Sequence, residues 1–328
     1  MNMNSDLRDK RVLVTGGAGF IGSNLVEALL DLGAIVRVFD NLETGKLQNI
    51  EGFMNHENFS FMKGDICNES ECAAAVQGID LISHQAALGS VPRSIAFPHK
   101  THAVNATGFL NMLHAAKEAG VKRFVYASSS SVYGDSQASP KVEGTEGNPL
   151  SPYAVTKLLN EKYAKVYHQL HEMETIGLRY FNVFGPKQDP NGVYAAAIPK
   201  FIDKMIKGEE ITVNGDGEQT RDFTYVKNAV EANILGLTST NSEAYGHVFN
   251  VACGSSYSLN RILIEITENL KNVRLYNAHT TITNGPDRSG DVRDSLANIS
   301  KINKLLNYSG KYSFYDGISE YISSMNNE

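Results

Sequence analysis

The chain has 328 residues, 42% of them hydrophobic and 20% charged, enough for one large or two medium domains with a sizeable core. A formal charge of −6 without a basic cluster argues against a nucleic-acid surface. The polar start from Met1 to Lys10, the lack of an apolar run of membrane length, and three Cys without zinc-ligand spacing (Cys67, Cys72, Cys253) predict a cytoplasmic protein with free thiols, no signal peptide, no membrane span and no metal site.

Arg11 to Thr15 is a β-branched run, and Gly16-Gly17-Ala18-Gly19-Phe20-Ile21-Gly22 follows it. An apolar-periodic segment then runs through Leu32 and stops at Gly33. This reads as strand, glycine turn and helix. Gly16 suits the tight turn, Gly19 lets a pyrophosphate near the backbone, and Gly22 allows close helix packing, with helix N–H groups free for phosphate. Ile35 to Asp40 reads as the next strand and ends in a carboxylate, 18 residues beyond Gly22, where an acid bonds an adenosine ribose. Asp40 would repel a 2′-phosphate, so NAD is expected over NADP, and Arg37 is read as a solvated strand residue.

Phe59–Gly64 and Ile79–His84 read as the third and fourth strands, with Gln85-Ala86-Ala87 after the latter. Strand ends of this kind line the ligand crevice of an open α/β sheet. His84 is read as structural. Ser94 to Ala119 reads as one long helix carrying Asn105, and Lys122 to Ala127 as a fifth strand that delivers the run Ser128 to Ser131 and then Val132-Tyr133-Gly134.

Ser151 and Pro152 suit the N-cap and first position of a helix to about Leu170, which puts Tyr153 and Lys157 on one face. Moving a phenol from about 10 to near 7 needs roughly 4 kcal/mol. One cation about 4 Å away supplies that order of energy at an effective dielectric near 20. A strand at Thr175–Tyr180 follows. Beyond Phe181 to Pro186 the alternation loosens into helices at Ala196–Lys207, Lys227–Leu237 and Leu259–Leu270, with short strands and glycine loops. The expected fold is α/β: a Rossmann-type doubly wound parallel sheet over residues 1–185, and a smaller mixed α/β substrate-binding domain over 186–328 with some chain exchange between them.

Taken in order, these motifs resemble the extended short-chain dehydrogenase/reductase family, and within it the nucleotide-sugar 4-epimerases. The resemblance rests on Thr15 to Gly22, Asp40-Asn41, Asp65-Ile66, His84 to Ala87, Ser128 to Gly134, Tyr153-x-x-x-Lys157, Arg221-Asp222-Phe223 and Arg288-x-Gly290-Asp291. It implies that Gly16, Gly19, Phe20, Ile21, Gly22, Asp40, Asn41, Asp65, Ile66, Gln85, Ala86, Ala87 and Asn105 hold NAD together with Tyr153 and Lys157. It also implies that Ser129, Tyr153 and Lys157 are catalytic.

A finer similarity, to bacterial UDP-N-acetylglucosamine 4-epimerases of surface-polysaccharide pathways, rests on Gly89 to Ser94, Ser151 to Lys157, Arg179 to Gly185, Asp189 to Ala196 and Gly290 to Ser295. It implies a UDP-sugar bound by Gly89, Ser90, Ser129, Ser130, Ser131, Asn182, Ala196, Arg221, Arg288, Asp291 and Ser295. The small Ser295, where relatives can carry a bulky residue, implies room for an N-acetyl group.

The expected activity is therefore that of an isomerase interconverting UDP-GlcNAc and UDP-GalNAc through a 4-keto sugar, with a homodimer implied by the family alone. A UDP-glucose 4-epimerase is the alternative, followed by a 4,6-dehydratase or a UDP-glucuronate decarboxylase. A dehydratase of this family carries an Asp-Glu pair where Ser130 and Ser131 stand.

Overall fold

The computed structural model describes residues 7–191, 196–286 and 294–325. Its first half alternates β1 (Arg11–Thr15), α1 (Phe20–Asp31), β2 (Ile35–Asp40), β3 (Phe59–Lys63), α2 (Glu69–Ala75), β4 (Leu81–His84), α3 (Val91–Ala96), α4 (Pro98–His102), α5 (Phe109–Glu118), β5 (Arg123–Ser129), α6 (Pro152–His171) and β6 (Glu174–Tyr180). The strands are rich in β-branched and aromatic residues, as strands covered on both faces are. Gly33, just past α1, takes φ +80° and ends that helix in the left-handed conformation.

The second half runs β7 (Val183–Phe184), α7 (Ala197–Lys207), β8 (Ile211–Asn214), β9 (Thr220–Arg221), β10 (Thr224–Tyr225), α8 (Val226–Thr238), β11 (His247–Val251), β12 (Tyr257–Ser258), α9 (Leu259–Asn272), β13 (Ile282–Gly285), β14 (Asp294–Ser295), α10 (Ser300–Leu306) and α11 (Phe314–Met325). The main sheet is parallel, in the order β11-β6-β5-β4-β1-β2-β3. This is the Rossmann-type fold expected from the sequence, with a seventh strand, β11, that returns from the second half.

One face of the sheet is packed by α1, α8 and α10 through Leu25, Leu29, Val230, Ile234 and Ile302. The other is packed by α2, α5 and α6 through Cys72, Phe109, Met112 and Ala164. A separate core of Phe201, Ile202, Met205, Ile262, Ile266, Phe314 and Ile318 holds α7, α9 and α11 together. The chain crosses between these bodies more than once, because α8, β11 and α10 serve the main sheet although they lie beyond residue 185.

The single long helix expected over Ser94–Ala119 is not formed. Pro98 restricts the residue before it, and Phe97 leaves the helical region at φ −133°, ψ 64°. A π-helical turn then spans Ala103–Gly108 and turns Asn105 inward, where it is buried.

Candidate active site

The strand order reverses between β1 and β4. Open α/β sheets form their ligand crevice at such a point, outside the carboxyl ends of the strands. A cavity of about 500 Å³ lies there. Its walls include Gly16, Gly19, Phe20, Ile21 and Gly22 from the turn into α1.

That turn tolerates no larger residue at two positions. Gly16 has φ +67°, and a Cβ on it would lie 2.7 Å from the Ala86 nitrogen. A Cβ on Gly22 would lie 2.1 Å from the Gly16 carbonyl oxygen. α1 begins without a side-chain cap and with no acidic residue in its first turn, so its leading N–H groups and positive dipole end face the cavity uncompensated. These features fit the pyrophosphate of a dinucleotide.

Asp40 ends β2 on the cavity wall, its Oδ2 accepting from Ala18 N at 3.0 Å and its Oδ1 from Leu42 N at 2.8 Å. Burial pushes its acid up, and the two backbone donors offset part of that rise. Arg37, expected in solvent, instead donates through Nη1 to the Ala75 and Gln77 carbonyls at the end of α2. Its charge is spent on a helix C-terminus.

Asn41 and Ile66 also line the cavity. Asp65 is not on the wall. Its carboxylate accepts from Asn41 Nδ2 at 3.0 Å, holding that wall residue in place, and from Cys67 N at 2.8 Å, just beyond Ile66.

Gln85, Ala86 and Ala87 line the crevice beyond β4. The side chain of Gln85 is engaged within the protein, donating to Ser83 Oγ and Asn233 Oδ1 and accepting from Tyr180 Oη at 2.9 Å. His84 is buried against Phe124 and Phe109, and burial brings its imidazole down to about 3. Thr15 Oγ1 accepts from Ala86 N at 3.3 Å and shares a hydrogen bond with His84 Nδ1 at 2.9 Å.

Asn105 is not on the cavity wall. Its Oδ1 accepts from Leu88 N at 2.7 Å and its Nδ2 donates to Leu88 O at 3.2 Å, so it pins the loop beyond Ala87. The π-helical turn that buries it removes it from the reach expected of a residue on a regular helix.

Ser129, Tyr153 and Lys157 meet at the other end of the same cavity. Ser129 ends β5, and its Oγ accepts from Ser131 N at 3.1 Å. Ser151 caps α6 by accepting from Ala154 N at 3.1 Å, with Pro152 in the first turn, which fixes the helix start beneath Tyr153. Lys157 is 2% exposed; its Nζ donates to the Ala127 carbonyl at 2.8 Å and lies 5.9 Å from the centroid of the Tyr153 ring.

Burial pushes Tyr153 up, opposed by its hydrogen bond with Ser129. Burial likewise draws Lys157 down to about 8, opposed by the Glu161 charge. Desolvation disfavours both charged forms.

Ser90 and Gly89 line the cavity as well, Ser90 capping α3 by accepting from Arg93 N. Ser130 and Ser131 are not on its wall. The Ser131 hydroxyl is buried and has no hydrogen-bond partner. Gln188 was not singled out from the sequence. It stands on the wall with Nε2 donating to Val183 O, while its Oε1 is buried without a partner among the described residues. It precedes Asp189-Pro190-Asn191, but nothing in local periodicity marks it.

A second cavity, of about 570 Å³, shares the walls formed by Asn182 and Val183. Ala196 and Arg221 line it, together with Lys200 and Lys204 of α7. β14 pairs with β9 so that Ser295 is in register with Arg221, although the two are far apart in sequence. Arg288 and Asp291 lie outside the described residues.

The chain matches the model of the NAD dependent epimerase/dehydratase family over residues 12–252. It is 32% identical to the UDP-glucose 4-epimerase of Mycolicibacterium smegmatis over 320 residues, which is 97% of this chain and 99% of that protein. The structure superposes on UDP-N-acetylglucosamine 4-epimerase from Methanobrevibacter ruminantium, solved in complex with UDP-N-acetylmuramic acid, with a TM-score of 0.88. The two are 38% identical, covering 98% of this chain and 99% of that one. Superposition on the Thermus thermophilus UDP-glucose 4-epimerase complex with NAD gives a TM-score of 0.84 at 33% identity, covering 95% and 98% of the two chains. With the glycine turn, Asp40 and the Ser129-Tyr153-Lys157 cluster around one crevice, the chain belongs to the NAD-dependent epimerase/dehydratase family.

Proposed function

We propose that this protein inverts C4 of a UDP-hexose, preferably interconverting UDP-GlcNAc and UDP-GalNAc, with NAD held in the first cavity. The observation that carries this reading is the junction of the two cavities: a Ser-Tyr-Lys cluster in the first, and a basic second cavity reached through the shared Asn182 and Val183 walls. Gly16, Gly19 and the start of α1 suit the pyrophosphate of NAD, and Asp40 its adenosine ribose. Arg221, with Lys200 and Lys204, suits the UDP diphosphate.

Tyr153 as phenolate takes the proton from the sugar 4-hydroxyl, directly or through Ser129, and returns it after inversion. Burial raises the phenol, so forming the base draws on the Lys157 ammonium and on the positive charge that oxidised nicotinamide would bring to the same cavity. The chemistry that bound NAD supplies is reversible hydride transfer at C4. The 4-keto sugar must turn over between the two transfers, so the anchor belongs on the diphosphate and the sugar wall must be small and loosely bonded. Gly89, Ser90 and Ser129 make such a wall.

Two features support an N-acetylated sugar. Ser295 is small and in register with Arg221, which lines the second cavity. The unpartnered Gln188 Oε1 is a buried acceptor suited to an acetamide N–H. Incubation with UDP-GlcNAc and with UDP-glucose, followed by chromatography of the sugar nucleotides, tests this directly. UDP-GalNAc is the expected main product. Exclusive turnover of UDP-glucose overturns the sugar preference, and a 4-keto-6-deoxy product overturns the epimerase reading.

The protein is further read as a homodimer. Val155, Val166 and Leu170 of α6 are 51%, 44% and 70% exposed, and they fall within about 60° of one another around that helix. Ile95 and Phe97, 64% and 59% exposed, belong to the neighbouring α3 segment. An apolar surface of this kind suits a second copy of the same helices. Leu170→Glu is expected to yield monomers in light scattering, and a monomeric unmodified protein refutes the assignment.

A further inference from the structure

Asp222 directly follows Arg221 and is fully buried, yet the cavities do not use its carboxylate. Oδ1 accepts from Cys253 N at 3.0 Å, and Oδ2 from Gly254 N at 3.0 Å and Ala297 N at 3.3 Å. Its backbone N–H donates to the Ser295 carbonyl at 2.8 Å. Its own carbonyl accepts from Asn182 Nδ2 at 3.0 Å. Four chain segments thus converge on one residue: β9, the turn after β11, the stretch following β14, and the turn between β6 and β7. Two of the residues held in this way line the substrate space, and a third is in register with one of them. Asn182 forms part of the wall between the cavities, Arg221 lines the second, and Ser295 is paired with Arg221. Asn182 is itself held at φ +36°, an unfavourable conformation for a residue with a Cβ, so its position depends on such support.

Among the described residues, only neutral backbone donors bond the carboxylate. Burying a charge without a counter-ion is costly, and such a group is retained only where its bonds matter to the arrangement. The acceptor capacity matters here because two N–H groups from different segments point at Oδ2. A protonated oxygen would direct a hydrogen against one of them.

We propose that Asp222 is a positioning residue that holds Arg221, Asn182 and Ser295 in the geometry that binds the nucleotide sugar, and that it does so as a carboxylate, so that substrate affinity is linked to its ionisation. This rests on reading the second cavity as the UDP site. Burial raises the Asp222 acid to about 7, with the Cys253, Ala297, Gly254 and Ser255 N–H groups working against that rise. The other groups that face it, among the described residues, stay in one state near neutral pH: burial pushes the Cys253 thiol to about 11, and the Tyr257 and Tyr308 phenols above their ordinary value. Affinity should therefore be full with Asp222 ionised and fall as the pH drops through its titration.

The test is calorimetric titration of the Tyr153→Phe holoenzyme, whose turnover is slowed at least about 10²-fold, with UDP-GlcNAc and in parallel with UDP-glucose. Both ligands keep a constant diphosphate charge over the range used. Between pH about 8.5 and about 6, the dissociation constant is expected to rise by about tenfold, the equivalent of one charge-assisted hydrogen bond. With Asp222→Asn added, binding should be weak at both ends and independent of pH. An affinity that is flat with pH in the Asp222 protein, or an unchanged pH dependence after D222N, overturns the proposal. If D222N does not fold, the titration of the Asp222 protein decides alone. Absence of binding by both ligands at every pH overturns the UDP reading of the second cavity as well, an outcome distinct from pH-independent binding.

Discussion

Arg179 grips Glu161 with two parallel hydrogen bonds, Nε to Oε1 at 2.8 Å and Nη2 to Oε2 at 2.7 Å, and Glu161 stands one turn beyond Lys157 on the same side of α6. Ser128 Oγ adds a bond to Glu161 Oε1 at 2.6 Å, and Glu146 pairs with the third nitrogen of Arg179. The helix that carries Tyr153 and Lys157 is thereby fastened to β5 and β6 from behind, by a pair, Arg179 and Glu161, that is almost wholly buried. Arg179 is 2% exposed.

Removing one partner from a buried ion pair leaves the other charge uncompensated, at a cost of about 3–5 kcal/mol. Arg179→Ala should therefore lower the thermal midpoint of the holoenzyme by several degrees in a scanning fluorescence or calorimetric experiment. A midpoint within a degree or so of the parent would show that the pair stabilises little.

Glu161→Gln has a different expected signature, in the pH profile of turnover. The Glu161 charge holds the Lys157 ammonium up against burial, which brings it to about 8. Without that charge Lys157 loses its proton at lower pH, so the alkaline fall in kcat should begin at lower pH. The sign for stability is the reverse. A lysine whose folded pKa is depressed binds fewer protons than in the unfolded chain, and its unfavourable contribution disappears as the pH rises from about 8 towards its ordinary value. An alkaline limb that does not move in E161Q would separate Glu161 from the lysine.

Tyr153→Phe keeps the ring but removes the base. We expect kcat to fall at least about 10²-fold while the chain retains its NAD, measured as nicotinamide dinucleotide released on denaturation. Near-normal turnover would remove Tyr153 from the mechanism.

Gly22→Ala tests the cofactor cradle, because the new Cβ would stand 2.1 Å from the Gly16 carbonyl oxygen, a backbone atom with no freedom to yield. Loss of most bound NAD is expected. Gly19→Ala should be milder, since its Cβ would meet the same oxygen at 3.1 Å. Equal NAD content in both variants and the parent would contradict this placement of the pyrophosphate.

Ser295→Tyr should close the space beside Arg221 to an acetamide while leaving room for a hydroxyl. The ratio of kcat/KM for UDP-GlcNAc over UDP-glucose is expected to fall by about 10- to 200-fold, the range that shape-based exclusion in a pocket provides. An unchanged ratio would place sugar selection elsewhere, with Gln188 the next residue to vary.

Local sequence determined the parts of this protein that depend on near neighbours. The glycine turn, the carboxylate ending β2 and the start of α6 at Ser151-Pro152 are set by steric and capping rules acting over a few residues, and the structure puts Gly16, Asp40, Tyr153 and Lys157 around one crevice. The parallel order of the first six strands follows from the same alternation. Tertiary packing decided what depends on distant partners. It broke the helix at Phe97 and buried Asn105 against Leu88, and it brought β11 back beside β6. It set Ser295 against Arg221 and gathered four segments on Asp222, through its backbone and its carboxylate. It also raised the phenol that the Tyr-x-x-x-Lys spacing alone suggested would be lowered. The spacing of a tyrosine and a lysine fixes which face of a helix they share, but the charge each carries depends on how much water the rest of the fold excludes.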